Sequence, residues 1–310
     1  MAEPETQTVT IIAGPTASGK SALALELAVR CDGVVINADS MQVYCGLQRL
    51  TDQPDEAARN RAPHRLYGIL DPADVCSAGR WRDMALKEIE AALDAGSTPI
   101  VVGGTGLYIK ALTEGIAPVP EIPKLVRHAV RERHAALGNS AFHAELAVRD
   151  PDGAAVIRVS DTQRMIRAAE VLEATGRPLA AWQAETPVVP PAHLAFRIIL
   201  LMPPRPELYA AIDARVTHMV EAGALEEAAA LAERGLPPDL PAMKALGVAD
   251  LAAAVHGEIP LEASLDRLKT ATRNYAKRQI TWFQGQMVAD LTFLTQYSES
   301  TREDIFTKIL

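Results

Sequence analysis

Two short stretches of this chain carry residue types that can do chemistry on a phosphorylated molecule. Gly14-Pro15-Thr16-Ala17-Ser18-Gly19-Lys20-Ser21 follows directly on the apolar run Val9-Thr10-Ile11-Ile12-Ala13 and leads into a helical pattern, Ala22 to Ala28. The G-x-x-x-x-G-K-S spacing predicts a phosphate cradle. Glycines at 14 and 19 let backbone N–H groups turn inward, Lys20 brings a point charge, and the Ser21 hydroxyl can reach Mg²⁺. The helix behind the loop favours an anion at its N-terminus through unpaired donors and the macrodipole. The second stretch is Asp39-Ser40-Met41-Gln42. Asp39 reads as a general base aimed at a nucleophile, as an outer-shell magnesium ligand, or as a carboxylate that only closes a turn. The cradle alone specifies phosphate, not a reaction.

These residues need a scaffold, and the hydrophobic pattern supplies one. After the first strand, short buried strands are predicted at Gly33 to Ala38, Pro99 to Val102 and Phe196 to Leu201, with helical patterns at about 78–95 and 106–114. That alternation predicts an α/β fold with a parallel sheet covered on both faces. Ligands bind beyond the C-terminal strand ends in such sheets, so Asp39, Thr105 and Arg205 are expected in the same crevice as the cradle. The third strand runs into Gly103-Gly104-Thr105-Gly106, where a phosphoryl-transfer enzyme usually carries a metal-holding Asp. Strand signals stop over 119–195. Pro118, Pro120 and Pro123 open that region, Pro187, Pro190 and Pro191 close it, and helical stretches such as 124–137 and 161–175 fill it. The expected organisation is a discontinuous core, 1–118 and 196–310, with an inserted all-helical domain at 119–195. Beyond Pro206 the pattern predicts helices at 207–234 and 261–286 and a last strand at 291–294.

Composition narrows the functional classes. The chain has 310 residues, 48% of them hydrophobic and 23% charged, as in an ordinary globular protein. Its acidic start has no apolar h-region and no run is long enough to span a membrane, so the expected location is the cytoplasm. Cys31, Cys45 and Cys76 form no C-x-x-C pair and signal neither a disulfide framework nor a metal site. The net charge of -8 argues mildly against nucleic acid. The basic residues are clustered, however: Arg267, Lys269, Arg273, Lys277 and Arg278 in one run, and Lys124, Arg127, Arg131 and Arg133 in another. Arg273 and Lys277 lie one helical turn apart, which reads either as a solvated face or as an RNA footprint.

Several stretches together resemble one family, the tRNA dimethylallyltransferases (tRNA isopentenyltransferases) of the bacterial type. They are Gly14 to Ser21, Asp39 to Tyr44, Val102 to Tyr108, Asp161 to Ala168, Leu240 to Gly247 and Thr272 to Phe283, in family order over nearly the whole chain. The resemblance implies a P-loop NTPase-like core whose helical insertion grips a tRNA anticodon stem-loop. It implies transfer of a dimethylallyl group from dimethylallyl diphosphate to the exocyclic amine of the adenine 3′ to the anticodon. In that reading Gly14, Pro15, Thr16, Ala17, Ser18, Gly19, Lys20 and Ser21 hold the diphosphate with Mg²⁺ at Ser21, and Arg215 reaches the diphosphate. Asp39 takes the amine proton and Thr105 lies beside the target nucleotide. The RNA contacts implied are Asp39, Ser40, Met41, Gln42, Thr105, Arg127, Gln163, Arg164, Met165, Ile166, Arg167, Arg273, Lys277 and Arg278. No membrane partner is expected, the expected state is a monomer, and ATP is a further candidate occupant of the loop. The rival readings are a P-loop small-molecule kinase and a nucleotide-gated RNA-binding protein without catalysis.

Overall fold

The structure, a computed structural model, describes residues 6–309; the acidic start lies largely outside the described residues. In chain order the elements are β1 (Gln7–Ala13), α1 (Lys20–Arg30), β2 (Gly33–Asn37), α2 (Glu56–Arg61), β3 (His64–Arg65), α3 (Ala78–Asp94), β4 (Thr98–Gly103), α4 (Gly106–Thr113), α5 (Lys124–Arg149) and α6 (Pro151–Val156). They continue with α7 (Thr162–Thr175), α8 (Leu179–Gln183), β5 (Leu194–Leu201), α9 (Arg205–Glu221), α10 (Ala224–Glu233), α11 (Val248–Val255), α12 (Leu261–Gln286), β6 (Leu291–Phe293) and α13 (Arg302–Ile309). Among the described residues no helix is long and apolar enough to cross a membrane.

The strands form one six-stranded sheet in the order β3-β2-β4-β1-β5-β6, every pairing parallel. Ile11 of β1 is level with Val101 of β4 on one side and Ile198 of β5 on the other. The chain leaves β1 in one direction and returns to its other side with β5, so the order reverses at β1, where open sheets of this kind place their ligands. Period-2 alternation splits the apolar residues between two layers. Val9, Ile11, Ile36 and Val101 pack towards α3, α4, α9 and α12, whereas Ile12, Val35, Ile100 and Val102 pack towards α1 and α13.

The chain divides into two compact units, Met1–Thr113 with Pro191–Leu310, and Glu114–Pro190. The divisions fall five residues before the expected boundaries at 118/119 and 195/196, the second of them at Pro190-Pro191. Ile116 and Val188 pair as an antiparallel bridge inside the second unit, and the Gln7 N–H already bonds the His193 carbonyl in the first. The second unit is all helical around Val130, Phe142, Leu146, Met165 and Leu172, with a break in α5 at Gly138. The single helix expected over 207–234 is two, α9 and α10. Gly223 stands between them in the left-handed region, φ 108°, which glycine adopts at little cost.

The Gly103-Gly104-Thr105-Gly106 run has a packing explanation. A Cβ on Gly103 would lie 2.1 Å from the Ala38 carbonyl oxygen, and one on Gly106 would lie 2.1 Å from the Trp282 indole of α12. Gly106→Ala is therefore expected to destabilise the fold by about 1–3 kcal/mol, read as a lower denaturation midpoint at unchanged m-value.

Candidate active site

The cradle joins β1 to α1 and is held from three directions. Gly19, at φ 85°, lets the chain turn into α1, and a Cβ there would lie 2.7 Å from the Tyr297 carbonyl oxygen. The Tyr297 N–H donates to the Ser18 carbonyl at 3.2 Å and Gln296 Nε2 to the Ala17 carbonyl at 3.1 Å, so the segment after β6 backs the loop. From α12, Gln279 Oε1 accepts the Thr16 N–H at 2.8 Å while its Nε2 donates to the Gly104 carbonyl at 2.9 Å. From α9, Arg215 Nη1 donates to Thr16 Oγ1 at 2.6 Å. The solvated alternative for Arg215 is thereby set aside, and its Nε also lies 3.4 Å from Asp52 Oδ2.

Lys20 lies half-buried in the first turn of α1 and its Nζ donates to the Pro15 carbonyl at 3.3 Å. Burial lowers its pKa to about 8; Asp39 and Asp52 oppose that fall and Arg215 adds to it. Those influences place Lys20, Asp39, Arg215 and Asp52 in one electrostatic neighbourhood. Ser21 is exposed on the first turn of α1, open to a ligand.

Asp39 follows β2 and is held by an unusually well-bonded neighbour. The Asn37 side chain accepts the Asp39 N–H at 2.8 Å and donates to the carbonyls of Asp39 and Leu66, each at 3.0 Å, in a fully buried position. One carboxylate oxygen, Oδ1, accepts the Met41 N–H at 2.9 Å, so the turn-closing reading is correct for that oxygen. The turn presents the group rather than consuming it, since the second oxygen is not needed for the turn. Thr105 Oγ1 accepts the Ser40 N–H at 2.9 Å and donates to Ser40 Oγ at 3.2 Å, tying the end of β4 to the same turn. Tyr275 of α12 joins them: burial and the Asp39 charge raise the pKa of its phenol, which Thr105 and Gln279 contact.

Other expected positions behave differently. Arg205 lines an apolar hollow of about 420 Å³ with Met202, Phe283 and Met287. Gln42 directs its Nε2 to the carbonyls of Thr51 and Asp52, at 2.9 and 2.8 Å, bracing the loop that faces Arg215. Arg273 forms a two-pronged pair with Asp213, with Nε 3.0 Å from Oδ1, and this partner raises its pKa. The basic face of α12 is thus Lys277 and Arg278, both exposed, rather than Arg273 and Lys277.

In the helical unit, Met165 is fully buried, whereas Ile166 is half-buried against the same core. Helical periodicity puts Gln163, Arg164 and Arg167 on the other face. Arg164 pairs with its own cap residue, Asp161, at 3.3 Å. Arg167 is half-buried near Glu170 and Arg127, and burial lowers its pKa.

Sequence reasoning gave no role to Asn37, Asp52, Gln279, Gln296 or Tyr297. Gln279 left a readable trace: it shares the core-facing stripe of α12 with Thr272, Ala276 and Phe283, and a polar residue there needs a buried partner.

A glycine-rich loop of this spacing at the reversal point of an all-parallel sheet makes the chain an α/β protein with a P-loop NTPase-like core. Comparison with known proteins identifies the family. The family model described as IPP transferase matches residues 42–286. A tRNA dimethylallyltransferase of Rhodospirillum centenum is 57% identical over 290 residues, covering 94% of this chain and 92% of that protein. The structure of the full-length tRNA isopentenylpyrophosphate transferase from Bacillus halodurans is 32% identical, with a TM-score of 0.68 over 98% of this chain and 96% of that one. A eukaryotic dimethylallyltransferase acting on tRNA gives a TM-score of 0.79 at 26% identity, over 98% of this chain and 78% of that one. The chain belongs to the IPP transferase family.

Proposed function

We propose that this protein is a tRNA dimethylallyltransferase. It transfers the dimethylallyl group of dimethylallyl diphosphate to the N6 amine of the adenine 3′ to the anticodon, giving N6-isopentenyladenosine and diphosphate. The carrying observation is the convergence of Lys20 and Arg215, which suit a departing diphosphate, with Asp39, which suits an incoming amine.

The adenine amine is a weak nucleophile because its lone pair is delocalised into the ring. Most of the assistance therefore goes to the leaving side. Lys20, Arg215 and the amides at the start of α1 stabilise charge that grows on the diphosphate as the C–O bond breaks. The C–N bond forms at the allylic carbon, and Asp39 takes the N6 proton, which keeps the product amine neutral. Ser40 and Thr105 hold the Asp39 turn against β4, so the carboxylate stays at fixed reach. The base must leave its stack to reach such a crevice, so the target nucleotide is flipped.

Among the described residues no group of three His, Cys, Asp or Glu side chains could cage a metal. The exposed Ser21 hydroxyl beside a phosphate cradle instead fits Mg²⁺, which keeps most of its waters and takes few protein oxygens next to substrate phosphates. Ser21 would hold it, and when bound it supplies positive charge to the diphosphate. The proposal places the enzyme in the cytoplasm as a monomer that binds the anticodon stem-loop through Arg127, Gln163, Arg164, Arg167, Lys277 and Arg278.

The kinase reading meets an obstacle in the fold. A metal-holding Asp at the end of β4 has no room at position 103, where even a Cβ would strike Ala38. The test is incubation with dimethylallyl diphosphate, Mg²⁺ and unmodified tRNA carrying adenine after the anticodon, followed by nucleoside mass analysis. N6-isopentenyladenosine is expected. Unprenylated RNA together with ATP-dependent phosphorylation of a metabolite would refute the proposal.

A further inference from the structure

The guanidinium that reaches the cradle is also held by a turn on the far side of the crevice. Arg215 Nη1 donates to Thr16 Oγ1 at 2.6 Å, while Nη2 lies 3.4 Å from the Thr51 carbonyl oxygen and Nε 3.4 Å from Asp52 Oδ2. Residues 47–52 make one helical turn. The Thr51 N–H and hydroxyl both donate to the Leu47 carbonyl, at 3.0 and 2.6 Å, and Leu47 and Leu50 anchor the turn in the core. It ends at Asp52 in the left-handed region, φ 58°, which aspartate tolerates better than most residues. Gln42 braces that exit through the Thr51 and Asp52 carbonyls.

The entrance is braced from another element. The first N–H groups of a helical turn have no partner within it. Here the Arg49 N–H meets Glu227 Oε1 and Oε2 at 2.9 and 2.8 Å, and the Leu50 N–H meets Oε2 at 2.9 Å. Glu227 stands in the first turn of α10, 178 positions away in sequence. Consecutive backbone amides converging on a carboxylate make charge-assisted bonds, stronger than the neutral ones elsewhere in the turn.

Resting on the diphosphate reading above, we propose that Glu227 is a positioning residue for the diphosphate: it fixes the 47–52 turn, through which Thr51 and Asp52 keep the Arg215 guanidinium directed at the cradle. Arginine is rich in rotamers, and a guanidinium ordered before the ligand arrives binds without losing that freedom. Glu227 itself need not touch the ligand.

The test is calorimetric titration of the full-length protein with inorganic pyrophosphate in the presence of Mg²⁺. Glu227→Ala is expected to raise the pyrophosphate Kd about tenfold, the lower end of what a charge-assisted hydrogen bond contributes. Glu227→Gln, which keeps the shape and one acceptor oxygen, should raise it only about threefold. Glu226→Ala removes the same charge from the same first turn of α10 at an exposed position and should stay within about 1.5-fold of the wild type. The deciding measurement repeats the Glu227 substitutions beside Arg215→Ala, where each should add less than about 1.5-fold, because the route through Arg215 is gone. A residue that merely supports the fold would cost the same in both backgrounds. A Glu227→Ala loss that recurs in full beside Arg215→Ala overturns the proposal, as does no loss at all or a loss matched by Glu226→Ala. If Glu227→Ala does not fold, the same cycle with Glu227→Gln decides. Wild-type protein that binds no pyrophosphate refutes the diphosphate reading and this inference with it; wild-type binding that the Glu227 variants leave unchanged refutes this inference alone.

Discussion

Asp39→Asn is expected to lower kcat for tRNA prenylation by about 10²–10⁴-fold while the tRNA Kd stays within about threefold of the wild type. The substitution suits the geometry. Asparagine keeps an oxygen that can accept the Met41 N–H at the position Asp39 Oδ1 now holds, and the backbone of residue 39 remains clamped by Asn37. The turn therefore survives and only the proton acceptor is lost. A binding protein without catalysis would tolerate this change, so single-turnover rates measured beside filter binding separate the two readings. A rate within about fivefold of the wild type would remove Asp39 from the role of base.

Lys20→Met is expected to reduce kcat/KM for dimethylallyl diphosphate by about 10²–10³-fold, the loss of one preorganised charge on the leaving group. Its ionisation supplies an independent signature. Burial brings the Lys20 pKa to about 8, so the free enzyme carries the ammonium below that pH and loses it above. The wild-type kcat/KM profile should therefore fall on its alkaline side from about pH 8. A bound diphosphate favours the charged form and raises the pKa, so the corresponding limb in kcat should lie at higher pH. Lys20→Arg, which stays charged throughout, should lack the limb whatever its residual rate. An alkaline limb that persists unchanged in Lys20→Arg would assign it to another group.

Legibility in the sequence followed the range of the interactions. The cradle spacing, the four main strands, and the helices 78–94, 106–113, 162–175 and 261–286 are set by residues close in sequence, whose periodicity survives outside the fold. The two-residue strand β3 leaves no pattern to read, and the helix expected over 207–234 runs through Gly223, where the structure breaks it. The glycines after β4 were conspicuous, but their cause was not. They read as a missing metal carboxylate, whereas Ala38 of the neighbouring chain segment and Trp282 of α12 occupy the space their side chains would need.

The sequence by itself determined the G-x-x-x-x-G-K-S spacing of the loop, the parallel sheet that carries it and the carboxylate at the next strand end, because each resides in one strand-loop unit. Only the tertiary structure decided how the cradle is held and which charges face it. Gln279 meets Thr16 across 263 positions and Arg215 meets it across 199, separations over which spacing carries no information. It also decided how the basic residues of α12 are used: Asp213 takes Arg273, while Lys277 and Arg278 stay exposed. Such pairings depend on how α9, α12 and the sheet pack together, and that packing is settled by the whole core rather than by any one stretch.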